Sequence, residues 1–245
     1  MNQLILDKYA AQFRAENGYS NKESIHLKSL LRKSGVLSVF RPMEMAISGM
    51  AIKVGEDQRF MLINTSRTLG HQHFTICHEL YHLFIQKDFT YQVCSAGFFN
   101  KKDKEEYNAD AFSSKLLMPE EGILALIPDK ELSKSKVSLS TILKIEQYFS
   151  CSRTALLFRL EELRLITKLQ REQLNQGVRR SALDHGYSLK LYEKDNQEEV
   201  IGNYGDMARK LFEKDKISES HYFSLLEDLG IDFFKSLKNE DEEAE

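Results

Sequence analysis

The sequence predicts an α+β fold, with helices around a small antiparallel β-sheet followed by a helical C-terminal part. Three observations carry this. Short β-rich runs cluster between residues 36 and 64. Apolar positions return to helical spacing over 75–86 and 104–117. After residue 139 helical patterns predominate. The 245 residues, 42% hydrophobic and 29% charged, suffice for a good-sized domain with an appendage or for two small domains. A formal charge of −3 gives no bulk attraction to nucleic acid or anionic membrane.

The elements follow in order. Residues 4–34 read as one or two helices, broken near Gly18-Tyr19-Ser20-Asn21. Val36–Phe40, Met50–Val54 and Arg59–Asn64 are strand-like, and Gly55-Glu56-Asp57 marks a hairpin between the last two, so a three-stranded antiparallel sheet is expected. Thr75–Gln86 is helical, with Phe74, Cys77, Leu80 and Phe84 on one side. Residues 88–102 look loop-like, with Gly97 and Lys101-Lys102. Lys104–Leu117 is a helix, stopped by Pro119, which cannot continue the backbone hydrogen bonds. The polar stretch 129–138 is the candidate domain boundary. Helices over 139–149 and 153–166 flank Ser150-Cys151-Ser152. A strand-like piece (Tyr187–Tyr192), two helices (203–214 and 218–229) and an acidic tail expected to be disordered complete the chain.

The first residues lack the basic start and apolar stretch of a signal peptide. No run of about 18 apolar residues occurs, so no membrane-spanning helix is expected. Cys77, Cys94 and Cys151 are odd in number and scattered, which fits reduced thiols in a cytoplasm better than a disulfide framework. Cys77 precedes His78 but points about 100° away from it on a helix, as a small buried hydrophobe.

The chemistry concentrates in FTICHELYHLFI, residues 74–85. His78 and His82 are four apart on a helix, so their rings project from one face a turn apart and can share one zinc ion. Glu79 can reach a metal-activated water without binding the metal, as a general base. Two ligands do not hold catalytic zinc, so a third is needed. Glu106 and Asp110, again four apart on the next helix, offer Glu106 as that ligand. Asp110 can then accept the spare N–H of His78 or His82 and fix its tautomer. Glu105 is the rival ligand, on a different face from Asp110.

The run from Ile47 to Pro119 resembles the ImmA/IrrE-type metallo-endopeptidases. The matching pieces are Ser48-Gly49-Met50, Phe60 to Asn64, Phe74-Thr75 leading into His78-Glu79-Leu80 and His82, and Glu106 with Ala109-Asp110-Ala111-Phe112 running into Leu116-Leu117-Met118-Pro119. The resemblance implies a zincin-like metallopeptidase core, Zn2+ held by His78, His82 and Glu106, and Glu79 as base. Tyr81 stands where such proteins usually have glycine and is expected near the metal face. His71 and His73 are expected in a loop that usually carries basic residues. Tyr81, Tyr107 and His73 are the candidates for stabilising an oxyanion.

Val137 to Ile166 resembles the helix-turn-helix-like module that follows the peptidase region in several relatives. The expected organisation is therefore a peptidase domain over 1–130, a helix-turn-helix-like module over 131–180, and a small helical region over 181–245. The resemblance also implies the substrate, a helix-turn-helix transcriptional repressor whose cleavage derepresses stress or mobile-element genes. Residues 139–180, with seven Arg/Lys against three Glu between 151 and 180, offer a mildly basic surface for DNA, but two helices supply no base-reading code, so a module that packs on the peptidase domain or grips a substrate is expected instead. The contrasting reading is a non-proteolytic zinc-fold binder or a toxin–antitoxin-like partner, against which an intact Glu79 argues.

Overall fold

Asn2 opens the first helix by accepting the Leu4 N–H on its side chain. The computed structural model describes residues 2–55, 57–94, 103–133 and 136–227. Helix α1 (Gln3–Glu16) buries Leu6, Ala10, Phe13 and Arg14, one face of the helical repeat. The Arg14 guanidinium donates to the carbonyls of Ser20, Glu23 and Leu116, so a buried charge ties α1 to two distant segments. Helix α2 (Leu27–Lys33) follows.

The α+β class is as the sequence predicts, but the sheet is larger and mixed. Its strands are β1 (Val36–Arg41), β2 (Gly49–Val54), β3 (Gln58–Asn64), β4 (Tyr91–Cys94) and β5 (Glu199–Ile201), in the order β4-β2-β3-β1-β5. The β2–β3 hairpin is antiparallel as expected, whereas β1 runs parallel to β3. Two short edge strands, β4 on β2 and β5 on β1, complete the sheet. β4 falls in the stretch expected to be a loop. Gly97, Lys101 and Lys102 of that stretch, Glu56 of the expected hairpin turn, Lys134 and Ser135 of the connector and the acidic tail lie outside the described residues.

Helix α3 (Leu69–Phe84) begins six residues earlier than expected and packs against the sheet and α4 (Lys104–Leu117). Then come α5 (Glu120–Leu126), the short α6 (Asp129–Leu132), α7 (Leu139–Phe149), α8 (Arg153–Glu162), α9 (Lys168–Leu174) and α10 (Val178–Asp184). Tyr187–Tyr192 is not a strand. Its end forms a 3₁₀ turn (Lys190–Tyr192) that buries the adjacent Leu191 and Tyr192 against Leu143 and Ala182, a placement that strand alternation forbids. Helices α11 (Tyr204–Glu213) and α12 (Glu219–Glu227) follow β5.

One apolar cluster runs through α1, α2, β1–β3, α3, α4, α7 and α8. The first turn of α3 rests on the α7–α8 turn: a Cβ on Gly70 would come within 2.8 Å of the Ser152 nitrogen. Beyond it, a buried Glu146–Arg153 pair is bound by the Tyr192 hydroxyl (2.6 Å), while Arg153 donates to the Leu174 carbonyl (3.0 Å), joining α7, α8, α9 and the 3₁₀ turn. The expected basic surface is largely neutralised. Arg153 and Arg159 are buried, and Arg153, Arg159, Arg171, Arg179 and Arg180 face Glu146, Glu162, Glu161, Glu193 and Asp184 respectively. No helix among the described residues is long and apolar enough to cross a membrane.

Candidate metal centre

Helices α3 and α4 bring the sequence-predicted residues to one buried point. His78 and His82, one turn apart on α3, have Nε2 atoms 3.1 Å apart. Glu106 enters from the first turn of α4, with Oε2 3.4 Å from His78 Nε2 and Oε1 3.2 Å from His82 Nε2. Asp103 sets that turn: its Oδ1 accepts the N–H groups of Glu105 and Glu106 at 3.1 and 3.2 Å, capping the helix.

The outward nitrogens are also occupied. His78 Nδ1 lies 2.9 Å from Asp110 Oδ1, and His82 Nδ1 meets Gln86 Oε1. Both partners are oxygen acceptors, so each Nδ1 carries the proton and each Nε2 presents its lone pair inward. Two such lone pairs and a carboxylate facing one another at 3.1–3.4 Å require a proton or a cation among them. The donor set therefore fits a metal ion such as zinc, with imidazole and carboxylate ligands.

The alternative to a cation is a proton on an Nε2, and the electrostatics show how strongly the cluster attracts positive charge. Burial opposes charge on His78, but Asp110 and Glu106 outweigh it and raise its pKa to about 10. Burial also acts on Glu106, yet hydrogen bonds from both histidines hold its carboxyl well below the usual carboxylate range. Burial dominates at Glu79, pushing it up to about 7. Glu79 is fully buried and, among the described residues, neither of its carboxylate oxygens is held in ordinary hydrogen-bond geometry, the Cys94 thiol being a looser neighbour. A buried carboxylate so weakly held is costly, which makes Glu79 a candidate functional group.

Space for Glu79 comes from Gly49 at the start of β2. A Cβ there would stand 2.7 Å from Glu79 Oε1 and from Thr75 Cγ2. Asn64, the last residue of β3, holds the approach to Gly49: its side chain accepts from the Met43 and Ser66 N–H groups and donates to the Glu44 and Ile47 carbonyls.

Other expectations need correcting. Tyr81 is fully buried between α3 and α4, its ring 5.6 Å from that of His82 and packed on Phe112, and its hydroxyl donates to Glu105 (2.6 Å). The Tyr107 hydroxyl accepts from Gln3 (3.3 Å), and His73 bonds the Ser150 carbonyl (2.7 Å). These contacts engage each oxyanion candidate away from the ligand cluster. His71 and His73 lie in the first two turns of α3 and not in a loop.

Two neighbours escaped the sequence reading. Gln86 is four residues beyond His82, the spacing that would have marked it. Cys94 ends β4, buried, with its sulfur 3.6 Å from Glu106 Oε1. His78, His82, Cys94 and Glu106 each offer a ligand atom, all within 4.8 Å of one another. Alternation along Tyr91, Gln92, Val93 and Cys94 would have turned Cys94 inward, had the segment been read as a strand.

Residues 32–161, more than half of the chain, match the family model Peptidase_M78, the IrrE N-terminal-like domain. No curated protein matches the sequence.

Proposed function

The chain belongs to the Peptidase_M78 family, that of the IrrE N-terminal-like domain, and on that premise we propose that it is a zinc-dependent endopeptidase acting on a helix-turn-helix transcriptional repressor. The observation that carries the zinc reading is the meeting of His78 Nε2, His82 Nε2 and the Glu106 carboxylate, with Asp110 and Gln86 behind the rings. Zinc bound there supplies Lewis acidity, which polarises a carbonyl and acidifies water near neutral pH.

The chain's own groups do the rest. Asp110 and Gln86 hold the imidazole tautomers, so that Nε2 of each ring is the donor atom. Glu79 serves as general base: it takes the proton of the attacking water on its carboxylate and returns it to the leaving amine. A pKa of about 7 suits both transfers at neutral pH. The buried setting keeps bulk water from competing for that carboxylate.

Residues beyond about 131 form the selecting surface in this reading. A folded repressor needs more contact area than a cleft offers. The α7–α8 turn touches the first turns of α3 through Gly70 and His73, which joins that surface to the helix of His78 and His82. Repressor cleavage is the part the sequence resemblance alone supplies. The test is to incubate the zinc-loaded protein with purified helix-turn-helix repressors of its own genome. Wild type should cut one of them at a defined bond, and Glu79→Gln should keep its zinc but lose at least about 10²-fold in rate. Equal cleavage by the two proteins would remove Glu79 from its role.

A further inference from the structure

We propose that Cys94 is a fourth ligand of the metal held by His78, His82 and Glu106, and that this thiolate closes the site and keeps the peptidase latent until it is displaced. The inference rests on the metal reading above and adds its regulation. Catalytic zinc keeps one coordination position open, whereas four protein ligands make a closed, tetrahedral, structural-type site. Cys94 supplies that fourth donor, since its sulfur belongs to the group of ligand atoms lying within 4.8 Å of one another.

Independent features point the same way. Cys94 is 1% exposed and His78, Glu79 and His82 are fully buried, so the sulfur faces the buried side of a cluster in which Glu106 alone keeps partial exposure. The Glu79 carboxylate interacts with both histidines and with the Cys94 thiol, so the base lies beside the very position the sulfur takes. Cys94 pairs in register with Gly49, the residue that makes room for Glu79, and its carbonyl accepts the Ser48 N–H at 2.9 Å.

The strand carrying the thiol is suited to leave. Among the described residues β4 is a four-residue edge strand paired only with β2. Its outward residues, Tyr91 and Val93, are 71% and 53% exposed, so little burial holds it. Its inward residues both engage Glu106, since Gln92 donates to Oε1 at 2.7 Å and Cys94 lies 3.6 Å from the same oxygen. Withdrawing β4 thus frees a coordination position, Glu106 Oε1 and the edge of β2 in one movement. An uncovered strand edge takes up an extended peptide by backbone pairing. On coordination the thiol proton leaves to solvent as the sulfur–metal bond forms, and on displacement the sulfur recovers a proton, with no redox partner.

The test uses the full chain with Co(II) as the metal. Wild type should show a near-ultraviolet thiolate-to-Co(II) charge-transfer band. The band should survive in Cys77→Ala/Cys151→Ala and vanish in Cys94→Ser. Zinc affinity in Cys94→Ser should fall at least ~10-fold, the lower edge of what losing even an indirect metal partner costs, while repressor cleavage at saturating zinc should rise. Bound Co(II) without the band in wild type, or a band that persists in Cys94→Ser, overturns this inference and leaves the three-ligand site standing. A wild-type protein that takes up no Co(II) or zinc overturns both. If Cys94→Ser does not fold, the wild-type and Cys77→Ala/Cys151→Ala spectra still decide, because Cys94 is then the one thiol left.

Discussion

His78 donates its Nδ1–H to Asp110 Oδ1 across 2.9 Å, a hydrogen bond between two fully or nearly fully buried side chains on adjacent helices. That bond fixes which nitrogen of His78 faces Glu106 and His82. Asp110→Ala should therefore lower zinc affinity by about 10–100-fold without removing a ligand. Glu106→Ala should cost more, and Asp110→Asn, which keeps an oxygen acceptor, should cost less than Asp110→Ala. Competition with a chromophoric chelator gives the ranking. Easier zinc loss from Asp110→Ala than from Glu106→Ala would reverse the roles.

Gly49→Ala should impair the site from the opposite side. The new Cβ would meet Glu79 Oε1 and Thr75 Cγ2 at 2.7 Å and the Leu62 carbonyl at 3.0 Å. Overpacking of this kind costs about 1–3 kcal/mol. Urea denaturation should show that loss, and cleavage should fall further than stability explains because the base is moved. Wild-type activity in Gly49→Ala would mean that Glu79 is free to adjust.

Acid should weaken the fold through His71. Burial, with Arg67 nearby, pushes its pKa from 6.5 down to about 4. The unfolded chain then binds a proton between those values that the folded chain does not, so stability is full above pH 6.5 and falls as pH drops towards 4. Between pH 7 and pH 5 the loss is on the order of 2 kcal/mol. His71→Gln should flatten this part of the profile in denaturation curves at pH 5 and pH 7. An unchanged slope would assign the acid sensitivity to other groups.

Charge reversal of Arg179 and Arg180 should leave zinc content intact and change stability by less than about 1 kcal/mol, since their pairs with Glu193 and Asp184 are exposed. Repressor cleavage should weaken if this face selects the substrate. Cleavage at the wild-type rate, or loss of metal, would break the proposed division of labour.

What the sequence disclosed follows from how local each signal is. His78, Glu79 and His82 are legible because one helix turn sets their geometry, and Glu106 and Asp110 repeat that spacing on α4. The β2–β3 hairpin is legible from its turn, where Gly55 takes φ +62°. The parallel pairing of β1 with β3 has no local signature, because it depends on which non-adjacent strand comes to lie alongside. β4 and β5 are four and three residues long, too short for alternation to rise above their polar surroundings. Cys94 was lost with β4. The basic count between residues 151 and 180 misled for a related reason: it could not reveal that Arg153 turns inward to Glu146, a partner outside the counted window.

The most direct test of the central claim is the metal content of the purified protein, wild type against the His78→Ala/His82→Ala double variant, by elemental analysis. About one zinc ion per chain in wild type and essentially none in the double variant is the expected result, because the remaining protein ligands do not hold the ion tightly. Undiminished zinc in the double variant would contradict the assignment of the metal to these two histidines.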